Sequence, residues 1–150
     1  MTTKSVAIRN VVRGENVVIY EPVNLYDCKL EDGVFIGPFV EIQGHTRIGK
    51  GSKIQSHTFI CEYVTVGERC FIGHGVMFAN DMFREGKPNP DRESWGRIVV
   101  GNDVSIGSGA TILAVTIADG VVIGAGSVVT KSLTEKGVYA GNPARLLRRL

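Results

Sequence analysis

Aliphatic side chains return every six residues through most of this chain, and few folds tolerate that period. Leu30, Ile36, Ile42, Ile48, Ile54, Ile60, Val66 and Ile72 keep the beat, and Phe78 continues it. Four positions after these sit small or β-branched residues: Val34, Val40, Thr46, Ser52, Thr58, Val64, Cys70 and Val76. The series breaks after Phe78 and resumes at Val100, Ile106 and Ile112, with Val104 and Ala110 as small partners. It then slips by one residue to Ile117, Ile123 and Val129. A helix repeats near 3.6 residues and a half-buried strand near two, so neither explains a period of six. A unit of a short strand and a corner does, with the aliphatic residue inside and the small residue beneath the corner. Three units make a triangular coil of about 18 residues, and stacked coils bury one apolar column. The expectation is an all-β parallel β-helix. Val12 and Val18 fit the period and Asn24 does not, so residues 1–24 read as a looser first coil that caps the column.

The chain has 150 residues, 43% of them hydrophobic and 21% charged, which suits one domain spanning 1–150 and excludes a disordered chain. No apolar run is long enough to cross a membrane, and RLLRRL is too brief to anchor on one. A net charge of +2 gives no field to recruit nucleic acid or a membrane surface. Cys28, Cys61 and Cys70 have no CxxC or metal-ligand spacing, and Cys28 and Cys70 fall on small inward positions. The first residues, MTTKSVAIRN, lack the apolar stretch of a signal peptide. The expected location is therefore the cytoplasm, with reduced thiols. Residues 79–99 carry no clock and hold acids, bases, two prolines and Trp95. A loop of that length in a compact repeat is usually functional. NPARLLRRL reads as a short C-terminal helix beginning near Pro143.

LEDGVFIGPFVEIQGHTRIGKGSKI resembles the hexapeptide-repeat acyltransferases, as does IGSGATIL…IGAGSVVTKSL…GVYAGNPARLLRRL. The resemblance implies a left-handed parallel β-helix, a homotrimer with active sites between neighbouring coils, and acetyl-CoA as acyl donor. The run SHTFICEYVTVGERCFIGHGVMFANDMF, with its loop after the Asn-Asp pair, is similar to the sugar-nucleotide N-acetyltransferases. Those enzymes acetylate amino sugars destined for O-antigen and related surface polysaccharides. By the same resemblance Ser108 and Ala125 match backbone positions meeting the pantetheine arm. Thr130 and Lys131 match positions near the nucleotide end, and Arg145 and Arg148 match basic positions near the CoA phosphates. The slip at ILAVTI is expected to shorten a corner beside that cofactor groove.

Residues 18 apart lie one coil apart on the same face, about 4.8 Å from each other. His57 and His74 then share a corner, and Glu62 and Asn80 stack on the next face. A compact polar group of His57, His74, Glu62, Asn80 and Asp81 is expected at the base of the loop. Acetyl transfer to an amine needs a proton acceptor and donors for the thioester oxygen. His57 or His74 suits the base, with Glu62 or Asp81 assisting and Asn80 positioning substrate or acetyl group. His45 is a weaker candidate at another corner.

The sequence thus points to an acetyl-CoA-dependent N-acetyltransferase acting on a nucleotide-linked amino sugar, with no metal required. An O-acetyltransferase is a weaker alternative: the resemblance implies that hydroxyl-acetylating members carry their catalytic histidine just before the final coils, and neither the loop 79–99 nor the coil from Val100 contains one. A zinc lyase of the γ-carbonic anhydrase type needs three converging histidines, and His45 lies on a different face from the other two. A catalytically silent scaffold is the remaining alternative.

Overall fold

The computed structural model describes residues 1–150 as a triangular stack of parallel strands, most of them two residues long. Three sheets form its sides. The first stacks Ile8–Arg9, Asn24–Tyr26, Glu41–Ile42, Phe59–Ile60, Met77–Phe78, Thr111–Ile112 and Val128–Val129. The second stacks Val12–Arg13, Lys29–Leu30, Arg47–Ile48, Val64–Val66, Ile98–Val100 and Thr116–Ile117. The third stacks Val18–Ile19, Phe35–Ile36, Lys53–Ile54, Phe71–Ile72, Ser105–Ile106, Val122–Ile123, Gly137–Ala140 and Arg145–Arg149.

Alternation within each two-residue strand sends the second side chain inward. Ile36, Ile42, Ile48, Ile54, Ile60 and Ile72 are fully buried, and the small partners Val34, Val40, Ser52 and Val76 are closed off beneath the corners. The aliphatic residues among these belong to one apolar cluster of 32 residues. Corners turn through backbone of positive φ: Asp27, His45 and Tyr63 between first and second sheets, Asn16, Arg69 and Asp103 between second and third, Phe39 and His57 between third and first.

The register is tighter at the ends than the six-residue clock implies. Ile42 pairs with Ile60, 18 residues on, but Leu25 pairs with Ile42 and Ile112 with Val129, each 17 on. A five-residue step from Leu25 to Leu30 therefore mirrors the step from Ile112 to Ile117. Both fall at the corner between first and second sheets. This corrects the reading of the first coil. Leu25, not Asn24, is the inward residue, while Val12 and Val18 face outward at 61% and 48% exposure. Ile8, Val11, Val17 and Ile19 pack on the column from partly buried positions.

The tail corrects a second expectation. It is no helix: Arg145–Arg149 runs antiparallel to Gly137–Ala140, with a turn through Gly141 and Pro143. The last coil would otherwise leave the third sheet with an open edge of unpaired backbone groups, and the hairpin supplies their partners. Leu146 seats over Gly137, where a Cβ would lie 2.6 Å from it.

All three cysteines are buried free thiols. Cys28 and Cys70 occupy the expected inward positions. Burial pushes the thiols up, Cys28 to about 11 and Cys61 to about 12, so their thiolates are scarce at neutral pH. Native protein is expected to leave all three unmodified by a thiol reagent at pH 7 over minutes, and denatured protein to titrate all three. Ile72→Ala is expected to cost about 2–5 kcal/mol in denaturant unfolding, whereas Phe71→Ala, half-exposed on the outer face, should cost under about 1 kcal/mol.

Candidate active site

The corner between third and first sheets carries both candidate histidines. Its first turn position reads Pro38, Ser56, His74, Ser108 and Ala125 along the stack, and its second reads Phe39, His57, Gly75, Gly109 and Gly126. Backbone bonds lock the columns: Gly75 N donates to Ser56 O at 3.0 Å, Gly109 N to His74 O at 2.8 Å, and Gly126 N to Ser108 O at 2.9 Å. The two imidazoles share this corner as expected, but each has its own partner. The His57 ring lies against Phe39, centroids 4.9 Å apart. His74 Nδ1 is 2.9 Å from Ser56 Oγ.

Beyond the histidines the corner becomes bare. Gly75, Gly109 and Gly126 all sit at positive φ, and a Cβ on any of them would meet nothing within 4 Å. The backbone N–H groups of Ser108 and Ala125 make no bond within the chain. Gly73 leaves the first of these uncovered, since a Cβ there would lie 2.7 Å from Ser108 N. The result is an open track with outward N–H donors, running from His74 toward the C-terminal end. An extended polar chain such as a pantetheine arm fits such a track. The slip at Ile112–Ile117 shortens the next corner along the coil, between first and second sheets.

Thr130 and Lys131 are exposed just past Val128–Val129, at the corner between first and second sheets, and Arg145 and Arg148 are exposed on the terminal strand. Ala144 N donates to Val128 O at 2.8 Å, so the hairpin reaches from the third sheet to the first. Arg148 makes no ion pair, while Arg149 pairs with Glu135 at 3.2 Å. Arg145 stands opposite Ala140, at the track's end of the third sheet, where a guanidinium suits phosphate.

Glu62, Asn80 and Asp81 lie at the corner between first and second sheets. No hydrogen bond joins them to either histidine. The compact five-residue group is therefore divided. The strand Phe59–Ile60 separates His57 from Glu62, and five extended residues span up to about 17 Å. Asn80 is buried and donates from Nδ2 to Glu62 O at 2.6 Å. The Asp81 carboxylate accepts from Phe83 N at 3.0 Å and Asn89 N at 2.7 Å, which organises the loop. The buried Glu62 carboxylate accepts from Arg92 Nη1 at 3.1 Å. Burial first, then the Glu41 and Glu62 carboxylates, push the nearby Tyr26 hydroxyl up. A cavity of about 320 Å³ opens under the loop beside Asn80, Asp81, Arg84, Lys87 and Trp95.

Sequence reasoning missed four residues here. Ser56 stands 18 before His74, and Tyr63 stands 18 after His45, so both were available from the period. His45 and Tyr63 stack with centroids 4.8 Å apart, and the Arg97 guanidinium covers Tyr63 at 3.6 Å. Arg97 and Arg92 come from the loop, where no period could place them. No three His, Cys, Asp or Glu side chains of the chain group in a way that could hold a metal ion.

Residues 27–62 match the family model "Bacterial transferase hexapeptide (six repeats)", and residues 97–131 match "Hexapeptide repeat of succinyl-transferase". Hexapeptide repeats of the bacterial transferase type thus cover residues 27–62 and 97–131. The bifunctional protein GlmU of Baumannia cicadellinicola is 30% identical over 87% of this chain and 30% of its own length. The chain thus spans about a third of the length of the curated relatives it matches. AntD, an N-acyltransferase from Bacillus cereus solved with dTDP and coenzyme A, superposes with a TM-score of 0.82 at 24% identity, covering 93% of this chain and 84% of its own. A hexapeptide-repeat acetyltransferase from Vibrio cholerae, solved with acetyl coenzyme A, gives 0.68 at 25% identity, covering 79% and 69%.

In this hexapeptide-repeat chain the loop depends on Arg92. Arg92→Ala leaves a nearly buried carboxylate unpaired and is expected to cost about 1–3 kcal/mol. It should also speed trypsin cleavage after the exposed Arg84. Adding Glu62→Gln should recover most of the stability.

Proposed function

We propose that this chain is an acetyl-CoA-dependent N-acetyltransferase acting on the amine of a nucleotide-linked amino sugar, whose product is destined for a surface polysaccharide. One observation carries the reading: the histidine corner runs directly into a bare track of outward N–H groups. The pantetheine arm of acetyl-CoA lies along Ser108 and Ala125, with Thr130, Lys131, Arg145 and Arg148 around its nucleotide and phosphates. The thioester then reaches the histidines. The N-acyltransferase AntD, bound to dTDP and coenzyme A, supports both the acyl chemistry and a nucleotide-linked acceptor.

His74 serves as base. The neutral amine attacks the thioester carbon, forming the C–N bond. His74 takes the proton the nitrogen sheds and returns it to the sulfur as the C–S bond breaks. Outward backbone N–H groups meet the oxygen as it gains charge. His57 forms the adjacent wall, and Asn80 with Asp81 positions the sugar. Neither Glu62 nor Asp81 bonds an imidazole within one chain, so we place both with the loop.

The working form is a homotrimer. The half-exposed Phe39, Phe71 and Met77, around the corner between third and first sheets, support association. The separation of the loop from the histidine corner supports a shared site, in which one copy's loop faces the next copy's corner.

The test is CoA thiol release from acetyl-CoA across UDP- and dTDP-linked amino sugars and their hydroxyl analogues. Release with one amino sugar and none with its hydroxyl counterpart is expected. His74→Ala should lower kcat by about 10²–10⁴-fold, and His57→Ala by much less. Release only with hydroxyl acceptors would replace N- by O-acetylation, and the absence of both release and CoA binding would leave a silent scaffold.

A further inference from the structure

The two corner histidines differ in one respect that bears on which can act. The His57 ring lies against a phenyl ring and makes no hydrogen bond, so nothing in the chain selects between its two neutral tautomers. The His74 ring has a single polar partner, Ser56, and that partner takes Nδ1. Its Nε2 makes no bond within the chain. The neighbour on the other side along the column, Ser108, also keeps its hydroxyl free of any bond within the chain.

We infer that Ser56 is a positioning residue for His74: its oxygen accepts from Nδ1–H and so keeps Nε2 unprotonated toward the open track. This rests on the acetyltransferase reading above. A base must present a lone pair, and only the Nδ1–H tautomer presents one at Nε2. The arrangement also survives the proton transfer. The imidazolium carries hydrogen on both nitrogens, so a Ser56 oxygen that already accepts from Nδ1–H need not turn when Nε2 is protonated. A Ser56 hydroxyl that donated to Nδ1 would have to rotate at that moment. Ser56 is fixed for the task, half-buried in a turn whose carbonyl accepts from Gly75 N at 3.0 Å. Here a hydroxyl from the preceding coil takes the place that a carboxylate often fills beside a catalytic histidine.

The experiment compares wild type, Ser56→Ala and Ser56→Thr by ring ¹⁵N chemical shifts and by CoA thiol release. With three histidines in the chain, the His74 signals are assigned by their loss in His74→Ala. Wild type is expected to show His74 with its proton on Nδ1. Ser56→Ala should shift it toward a mixture of tautomers and lower kcat about five- to tenfold, leaving the KM for acetyl-CoA within about twofold. Ser56→Thr keeps the hydroxyl and should restore both readouts. A wild-type proton on Nε2 overturns the inference. So does an active enzyme in which Ser56→Ala changes neither tautomer nor kcat. Wild type that releases no thiol with any acceptor overturns the acetyltransferase reading and the base role together.

Discussion

Everything in this molecule depends on the backbone hydrogen bonds that tie each coil to the next. Gly49 N donates to Val66 O and Gly67 N to Val100 O, both at 2.8 Å, and the same link recurs along every sheet. These bonds allow almost no axial freedom. A residue's place in its coil therefore decides which residues lie above and below it, however far off they are in sequence. Side chains become columns, and a column's character changes only where residue type changes. The active corner is one such change. Phe39 and His57 fill the second turn position in the early coils, and Gly75, Gly109 and Gly126 empty it in the later ones. In the proposed reading, substrate chemistry and cofactor track meet there, where bulk gives way to bare backbone.

The same constraint explains how the fold carries a long loop without losing its core. Phe78 pairs with Ile112, 34 residues on, where neighbouring coils need 17 or 18. The excess leaves at one corner, and Phe78 and Ile98 on either side stay fully buried. Three contacts hold the excursion down: the Asp81 carboxylate on two loop amides, Arg92 on Glu62, and Arg97 on Tyr63. Each joins a loop residue either to the loop's own backbone or to the corner from which it leaves.

The architecture was legible because its signal is periodic and its cause local. Ile36 to Ile72 could be placed by counting, and so could the shared corner of His57 and His74. What failed did so where tertiary context outweighs local pattern. The five-residue step from Leu25 to Leu30 hides behind Val12 and Val18, which sit at plausible intervals but face solvent. RLLRRL fits a helix face as well as a strand, and only the open edge beside Gly137–Ala140 decides between them. The polar cluster failed for a geometric reason: residues on adjacent faces of a triangle are close in sequence yet occupy opposite ends of one side. Ser56 could have been found by subtracting 18 from His74. Arg92 could not, because its partner is set by how a clockless loop folds back.

That triangular geometry bears directly on the chemistry. His57 and Glu62 lie at the two ends of one side of the prism. Neither corner can bend toward the other, because the strand between them is bonded on both sides, Phe59 to Glu41 and to Met77. A catalytic site that needs both corners must take them from two copies. In the proposed trimer this rigidity is useful. The bare track, His74 and Ser56 stay aligned by backbone bonds alone. The loop, tethered at Asp81, Arg92 and Arg97, is the part able to adapt to a sugar. On that proposal, acyl-donor recognition resides in a rigid column and acceptor recognition in an insertion. On the same proposal, such a chain can change its sugar through residues 81–97 without disturbing the corner proposed to carry out the transfer.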